Sequence, residues 1–288
     1  MRLALGTAQI GLDYGISNPH GKVSRDETAA ILRCARSAGI TTLDTAVSYG
    51  DSEARLGEIG VQGCDVVSKL PAIPEDAESI SRWMTGVVRQ SLANLRIERL
   101  YGLLLHRPKQ LLEARGEETH DALQELKAAG LVRKTGVSIY LPSELDGLYD
   151  RYHLDLVQAP FNLFDDRLMA SGWMARLKQG GTEVHVRSIF LQGVLLFSPQ
   201  DRPKKFARWA KQFAAYDEWM RTHDRSALEA CVSYALSFPD IDNVVVGVDS
   251  AAQLQSIVDA ASVSPPPFSR SVVSSDADLL DPLVWMRK

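Results

Sequence analysis

Short apolar runs alternate with amphipathic stretches along the whole chain. Runs at residues 3–8, 41–46, 65–70, 101–106, 133–138, 155–160, 183–188 and 243–248 are rich in Leu, Val and Ile, and they read as parallel strands. Helical patterning fills the intervals at 24–38, 52–59, 75–95, 117–129, 142–151, 168–179 and 226–238, with 251–261 after the last run. Ser24, with Glu27 three residues on, reads as a capping-box start, and Gly39 as a stop for the same helix. Strand and helix alternation predicts a parallel sheet, and eight such units predict a (β/α)8 TIM barrel. An open doubly wound sheet shares the local pattern. The even run of units, with no break between domains, favours the barrel. No GxGxxG or GxxxxGK[ST] motif is present, so the usual nucleotide fingerprints are missing.

Three segments interrupt the rhythm. Residues 9–23 form a long loop after the first strand, and 189–223 carry an apolar stretch followed by the basic, aromatic RPKKFARWAKQFAAYDEWM. From Ser262 a Pro- and Ser-rich tail runs to LLDPLVWM. The expected organisation is a barrel over 1–261 with long loops at its C-terminal face. The tail, 262–288, either covers the mouth or is disordered up to Asp276. Long loops at that face tend to carry binding residues.

Bulk properties narrow the partners. The 288 residues carry a net charge of −4 with no basic run, which argues against nucleic acid and anionic membranes. No apolar stretch approaches transmembrane length, and the N-terminal run is too short for a signal peptide. Cys34, Cys64 and Cys231 form no CxxC pair and read as reduced thiols of a cytoplasmic protein.

The chemistry lies at the ends of consecutive strands. Asp44, Tyr49, Lys69 and His106 sit at, or just past, the ends of the second, third and fourth runs. In a barrel these ends share one mouth. Reducing a carbonyl by hydride transfer leaves charge on oxygen, and an acid must deliver a proton as that charge grows. A phenol has an ordinary pKa of about 10. A neighbouring lysine ammonium would lower it, a carboxylate would hold the lysine, and a neutral imidazole would orient the carbonyl. Tyr49, Lys69, Asp44 and His106 fit these roles. Taken singly, each has a plainer reading: a helix cap, a packed aromatic, a surface lysine and a structural histidine.

The segments LALGTAQIG, GITTLDTAVSYGDSEARLGE, VVSKL, LLLHRP and GLVRKTGVS resemble, in order and spacing, the aldo-keto reductase family. The resemblance covers most of the chain, through Gly247. It implies a (β/α)8 barrel, a nicotinamide cofactor bound across the mouth without a Rossmann fold, and Tyr49 as the acid, with His106, Lys69 and Asp44 supporting it. It further implies cofactor contacts at Ser138, Gln158, Arg187, Ser188, Gln192, Gly193, Gly247, Asp249 and Gln253. Family members usually pair Ser with Asn after strand five, where Ile139 stands here. They usually stack an aromatic on the nicotinamide where Arg187 stands. A guanidinium can stack on a flat ring, and its charge is expected to favour reduced over oxidised cofactor. An Arg paired with an Asp or a substrate anion is the competing reading.

The cofactor is NADPH or NADH. Family habit favours NADP, but no Lys or Arg follows strand eight, and Asp249 would repel a 2′-phosphate while accepting from a ribose hydroxyl. The lean is therefore to NAD, unless Lys204, Lys205 or Arg208 reaches the site. Tyr14, Asn18 and His20 of the first loop, with Trp209, Tyr216 and Trp219 of the second, suit a small carbonyl substrate, sugar-like or aromatic. Competing functions are a non-catalytic cofactor-binding or regulatory barrel and a Schiff-base lyase on Lys69. A metal hydrolase ranks last, because the strand ends lack a ligand cluster. His185 faces the barrel interior and reads as structural.

Overall fold

The computed structural model describes every residue except Ser17, Pro19, His20, Pro266, Phe268, Ser269, Arg287 and Lys288. Eight parallel strands close on themselves in sequence order. They are β1 (Leu3–Gly6), β2 (Thr42–Asp44), β3 (Asp65–Leu70), β4 (Leu100–Leu105), β5 (Val132–Ser138), β6 (Leu156–Pro160), β7 (Glu183–Arg187) and β8 (Asn243–Gly247). The (β/α)8 barrel expected from the sequence is thus the architecture, and the open sheet is not. Gly6 pairs with Asp44 of β2 and with Gly247 of β8, and Ser138 pairs with Gln158. The register therefore brings predicted site positions to one rim.

The main core lies between the strands and the surrounding helices, and a smaller cluster of Val67, Leu104 and Leu156 has Tyr101 packed against it. Beside Tyr101, the Glu183 carboxylate accepts from the Tyr101 hydroxyl at 2.7 Å and pairs with Lys134. His185 is fully buried, with Nε2 2.6 Å from Glu183 and 3.0 Å from the Asn243 amide. It does not line the cavity at the barrel mouth.

Several helices depart from the pattern. The third outer helix begins only at Ile80, capped by the Ser79 hydroxyl. The expected 142–151 helix is a 3-10 turn, Pro142–Leu145, because Asp146 turns extended and Gly147 takes φ +70°. Gly172, at φ +80°, splits the expected 168–179 helix into Arg167–Ala170 and Trp173–Gln179. The Ser24–Glu27 motif is only half a capping box. Ser24 accepts from the Glu27 N–H, while the Glu27 carboxylate accepts from the Ala251 N–H at 2.6 Å.

Described residues of the tail before Asp276 pack on the rest of the molecule. The Ser274 N–H donates to the Phe164 carbonyl, and Val272 is buried. The tail packs against the Lys204–Trp209 and Ala210–Thr222 segment: Gln212 donates to the Val272 carbonyl, Trp219 to Pro267, Trp209 to Asp276 and Lys205 to Trp285. Among the described residues, none from Ser262 onward lines the barrel mouth. No helix of the described residues is long and apolar enough to cross a membrane.

Candidate active site

One cavity of about 620 Å³ opens at the C-terminal rim, within the range of small-molecule sites. Asp44, Tyr49, Lys69 and His106 line it, as do Ser138, Gln158, Arg187, Ser188, Gln192, Gly193, Gly247, Asp249 and Gln253. Every predicted catalytic and cofactor position therefore faces the same space.

At the base lies a chain of buried polar groups. Lys69 is 1% exposed and Asp44 4%. Lys69 Nζ donates to Asp44 Oδ2 at 2.6 Å and to the Thr45 carbonyl at 2.8 Å. Gln158 Nε2 donates to the other carboxylate oxygen at 2.6 Å, and the Ser138 hydroxyl donates to Gln158 Oε1 at 3.3 Å. Four strands are thus tied together beneath the cavity, and the charges of Asp44 and Lys69 offset each other where water is excluded. Burial pulls the Lys69 ammonium below its ordinary pKa, and Asp44 acts in the opposite direction.

Tyr49 sits above this chain on the turn that follows β2. Its ring centroid is 5.3 Å from Lys69 Nζ and 6.4 Å from the His106 ring. The turn is clamped by the short helix Ala8–Gly11. A Cβ on Gly11 would fall 1.7 Å from the Tyr49 carbonyl oxygen, so only glycine permits this approach. Burial, with the Asp44 charge adding to it, pushes the Tyr49 phenol above its ordinary pKa, and Arg187 pulls the other way. The sequence predicts a value lowered by Lys69; the structure raises it instead, because burial of the phenol dominates. Tyr49 is accordingly a full phenol at neutral pH. Burial, then the charges of Lys69 and Arg187, draw His106 down to about 4, so its imidazole is neutral.

After β7 the chain turns through left-handed backbone at Ser188, Leu191 and Gln192, with φ of 61°, 47° and 57°, followed by Gly193. Such conformations in non-glycine residues are costly and cluster at ligand sites. The Gln192 amide faces the Ser188 hydroxyl at 3.5 Å. After β8, the Ser250 hydroxyl caps the helix Ala251–Ala260, and Gln253 Oε1 accepts from the Asp249 N–H at 2.8 Å.

Some expectations for the loops do not hold. Tyr14 and Asn18 line the cavity, and His20 lies outside the described residues. Trp209, Tyr216 and Trp219 do not line it; Tyr216 and Trp219 are buried, and Tyr216 packs on Phe164. Arg208 pairs with Asp276 and Asp278, and neither it nor Lys204 nor Lys205 lines the cavity. Their amphipathic face packs on the tail instead of the mouth. Conversely, Gln9 and Tyr140 line the cavity without having been expected there. Gln9 was one polar residue in a long loop, and Tyr140 followed the strand that seemed to end the site.

The sequence profile of the Aldo/keto reductase family matches residues 2–273. The chain belongs to this family. The uncharacterized oxidoreductase YqkF of Bacillus subtilis is 24% identical over 89% of this chain and 90% of its own length. A D-threo-aldose 1-dehydrogenase of a Pseudomonas species is 25% identical over 91% and 92%. In fold, the holo form of an aldo-keto reductase from Bacillus halodurans superposes with a TM-score of 0.74, at 20% identity, covering 95% of this chain and 94% of that one. As an aldo/keto reductase, the protein is an NAD(P)-dependent oxidoreductase of small carbonyl compounds.

Proposed function

We propose that this aldo/keto reductase reduces an aldehyde or ketone to an alcohol with Tyr49 as the proton donor. The observation that carries the reading is the placement of a buried, protonated phenol beside a neutral imidazole and a charge-balanced lysine in one cavity. NAD(P)H, when bound, supplies the hydride. Tyr49 gives its proton to the carbonyl oxygen as negative charge develops there. His106, uncharged, donates a hydrogen bond to the same oxygen and sets the carbonyl's direction. Lys69, already committed to Asp44, gives the phenolate left behind a positive neighbour 5.3 Å from its ring.

The donor set suits a nicotinamide dinucleotide. The Gln158 amide gives one N–H to Asp44 and keeps a second for a carboxamide oxygen. The Ser188–Gly193 loop presents hydroxyl, amide and backbone groups to the cavity. Between NADH and NADPH we favour NADH. The helix N-terminus after β8 is where a phosphate would find free N–H groups. There the Glu27 carboxylate accepts from the Ala251 N–H, and Asp249 lines the adjoining cavity wall. A 2′-phosphate would meet two carboxylates, and Lys204, Lys205 and Arg208 do not line the cavity, Lys205 and Arg208 being bonded to the tail. The substrate is a small polar carbonyl, in keeping with the Tyr14, Asn18 and Gln192 side chains and with the sugar named for the Pseudomonas relative.

Fluorescence titration with NADH and NADPH, on the protein and on Tyr49→Phe, separates binding from chemistry. The expected result is unchanged NADH binding with turnover lowered roughly 10²–10⁴-fold. Turnover within tenfold of the unmodified protein would remove Tyr49 as the acid. A tenfold preference for NADPH would remove the NADH assignment.

A further inference from the structure

The charged residues lining the cavity are Asp44, Lys69, Asp249 and Arg187. The first and second neutralise each other at 2.6 Å. Arg187, at the end of β7, has no carboxylate in salt-bridge range among the described residues. What it has instead is a frame. Its guanidinium lies 4.6 Å over the Tyr140 ring, donates to the Ile139 carbonyl at 3.0 Å and to the Ser188 hydroxyl at 3.3 Å. A guanidinium carries five N–H donors in a rigid plane; these contacts fix the plane and leave donors over. Its field reaches the reacting groups. After burial, which dominates in each case, Arg187 acts on the titration of Tyr14, Tyr49 and His106 alike.

Resting on the reading of Tyr49 and His106 as the carbonyl site, we propose that Arg187 seats a carboxylate of the substrate, so that the favoured substrates are short-chain carbonyl compounds bearing a carboxylate. A planar carboxylate matches a guanidinium edge bidentately, and such a charge-assisted pair is strong where water is displaced. One guanidinium balances the single charge of a carboxylate. A phosphate dianion would leave a charge uncompensated, in a cavity whose lining also includes Asp249. Tyr140 holds the guanidinium from one face, as a packing partner that orients it without neutralising it.

Succinic semialdehyde and butanal share a four-carbon chain and differ by the carboxylate, so their kcat/KM ratio at saturating NADH reads the seat. The ratio is expected to exceed about tenfold, the scale of one charge-assisted bond, and to fall towards one in Arg187→Met. Arg187→Lys keeps part of it. A ratio near one in the unmodified protein overturns the proposal. So does a ratio that persists in Arg187→Met while both rates fall together, which would assign the arginine to the cofactor or the fold. Calorimetric titration of the NADH complex with butyrate gives a readout without turnover. Binding lost in Arg187→Met supports the seat, and binding equal in both proteins refutes it. If neither aldehyde is reduced yet butyrate binds through Arg187, the seat stands and the Tyr49 reading fails. If butanal is reduced without preference, the reverse holds.

Discussion

Lys69→Met tests the buried polar chain most directly. The substitution keeps the length of the side chain but removes the ammonium that Asp44 Oδ2 accepts from at 2.6 Å. Asp44, only 4% exposed, is then left with the Gln158 N–H as its one remaining side-chain partner among the described residues. Removing one member of a buried ion pair costs about 3–5 kcal/mol, because the other charge stays desolvated and uncompensated. Total stabilities run from about 5 to 15 kcal/mol, so the loss is a large share. At about 2–4 °C per kcal/mol for a larger single domain, the melting temperature falls by roughly 10 °C. Asp44→Asn should cost a similar amount, since the Lys69 ammonium then keeps only neutral acceptors such as the Thr45 carbonyl at 2.8 Å. The double variant Asp44→Asn/Lys69→Met strands neither charge, and should be more stable than the summed single losses by about 2–3 kcal/mol. Urea unfolding of all four proteins at one pH gives the cycle. Single losses below about 1 kcal/mol, or strict additivity, would refute the claim that the pair is mutually dependent.

Protonation of His106 gives a second test. Its pKa falls to about 4 in the folded protein against about 6.5 in an unfolded chain. The unfolded state therefore binds the proton first, and stability is lost as pH falls from 6.5 towards 4, by about 3 kcal/mol in all. Urea midpoints at pH 7 and 4.5 should separate less in His106→Gln than in the unmodified protein; equal separations would refute the assignment. Gly11→Ala places a Cβ 1.7 Å from the Tyr49 carbonyl oxygen. It should cost more than about 2 kcal/mol and lower kcat, both checked by urea unfolding and steady-state kinetics. Glu27→Gln removes a carboxylate from the Ala251 N–H. It should narrow the preference for NADH over NADPH about tenfold in fluorescence titration, about 1.4 kcal/mol of relieved repulsion.

The barrel was legible because eight short apolar runs recur evenly between amphipathic stretches, so run length and alternation together separate strand from helix. Asp44, Lys69 and His106 were legible because each is a polar residue at the end of such a run. What escaped depends on partners distant in sequence. Glu27 reads as half of a local cap, and nothing nearby tells that its carboxylate reaches Ala251. Trp209, Tyr216 and Trp219 belong to a segment whose pattern says that one face is covered, without saying by what; the tail meets Trp209 and Trp219, and Phe164 meets Tyr216. The 142–151 helix failed because Gly147 adopts a left-handed turn, which composition permits but does not demand. The titration of Tyr49 is set first by the burial of its ring, a fact of three dimensions only.

The bond from Gln158 to Asp44 joins residues 114 positions apart, crossing from the second half of the barrel to the first. A fragment ending after β4 would contain the acid, the amine, the phenol and the imidazole, and would lack both Gln158 and Ser138. Its Asp44–Lys69 pair would have no roof, no enclosing strands and no reason to exclude water. Competence is therefore a property of closure: the half-molecule holds the reagents, and the docking of its other half makes them a site.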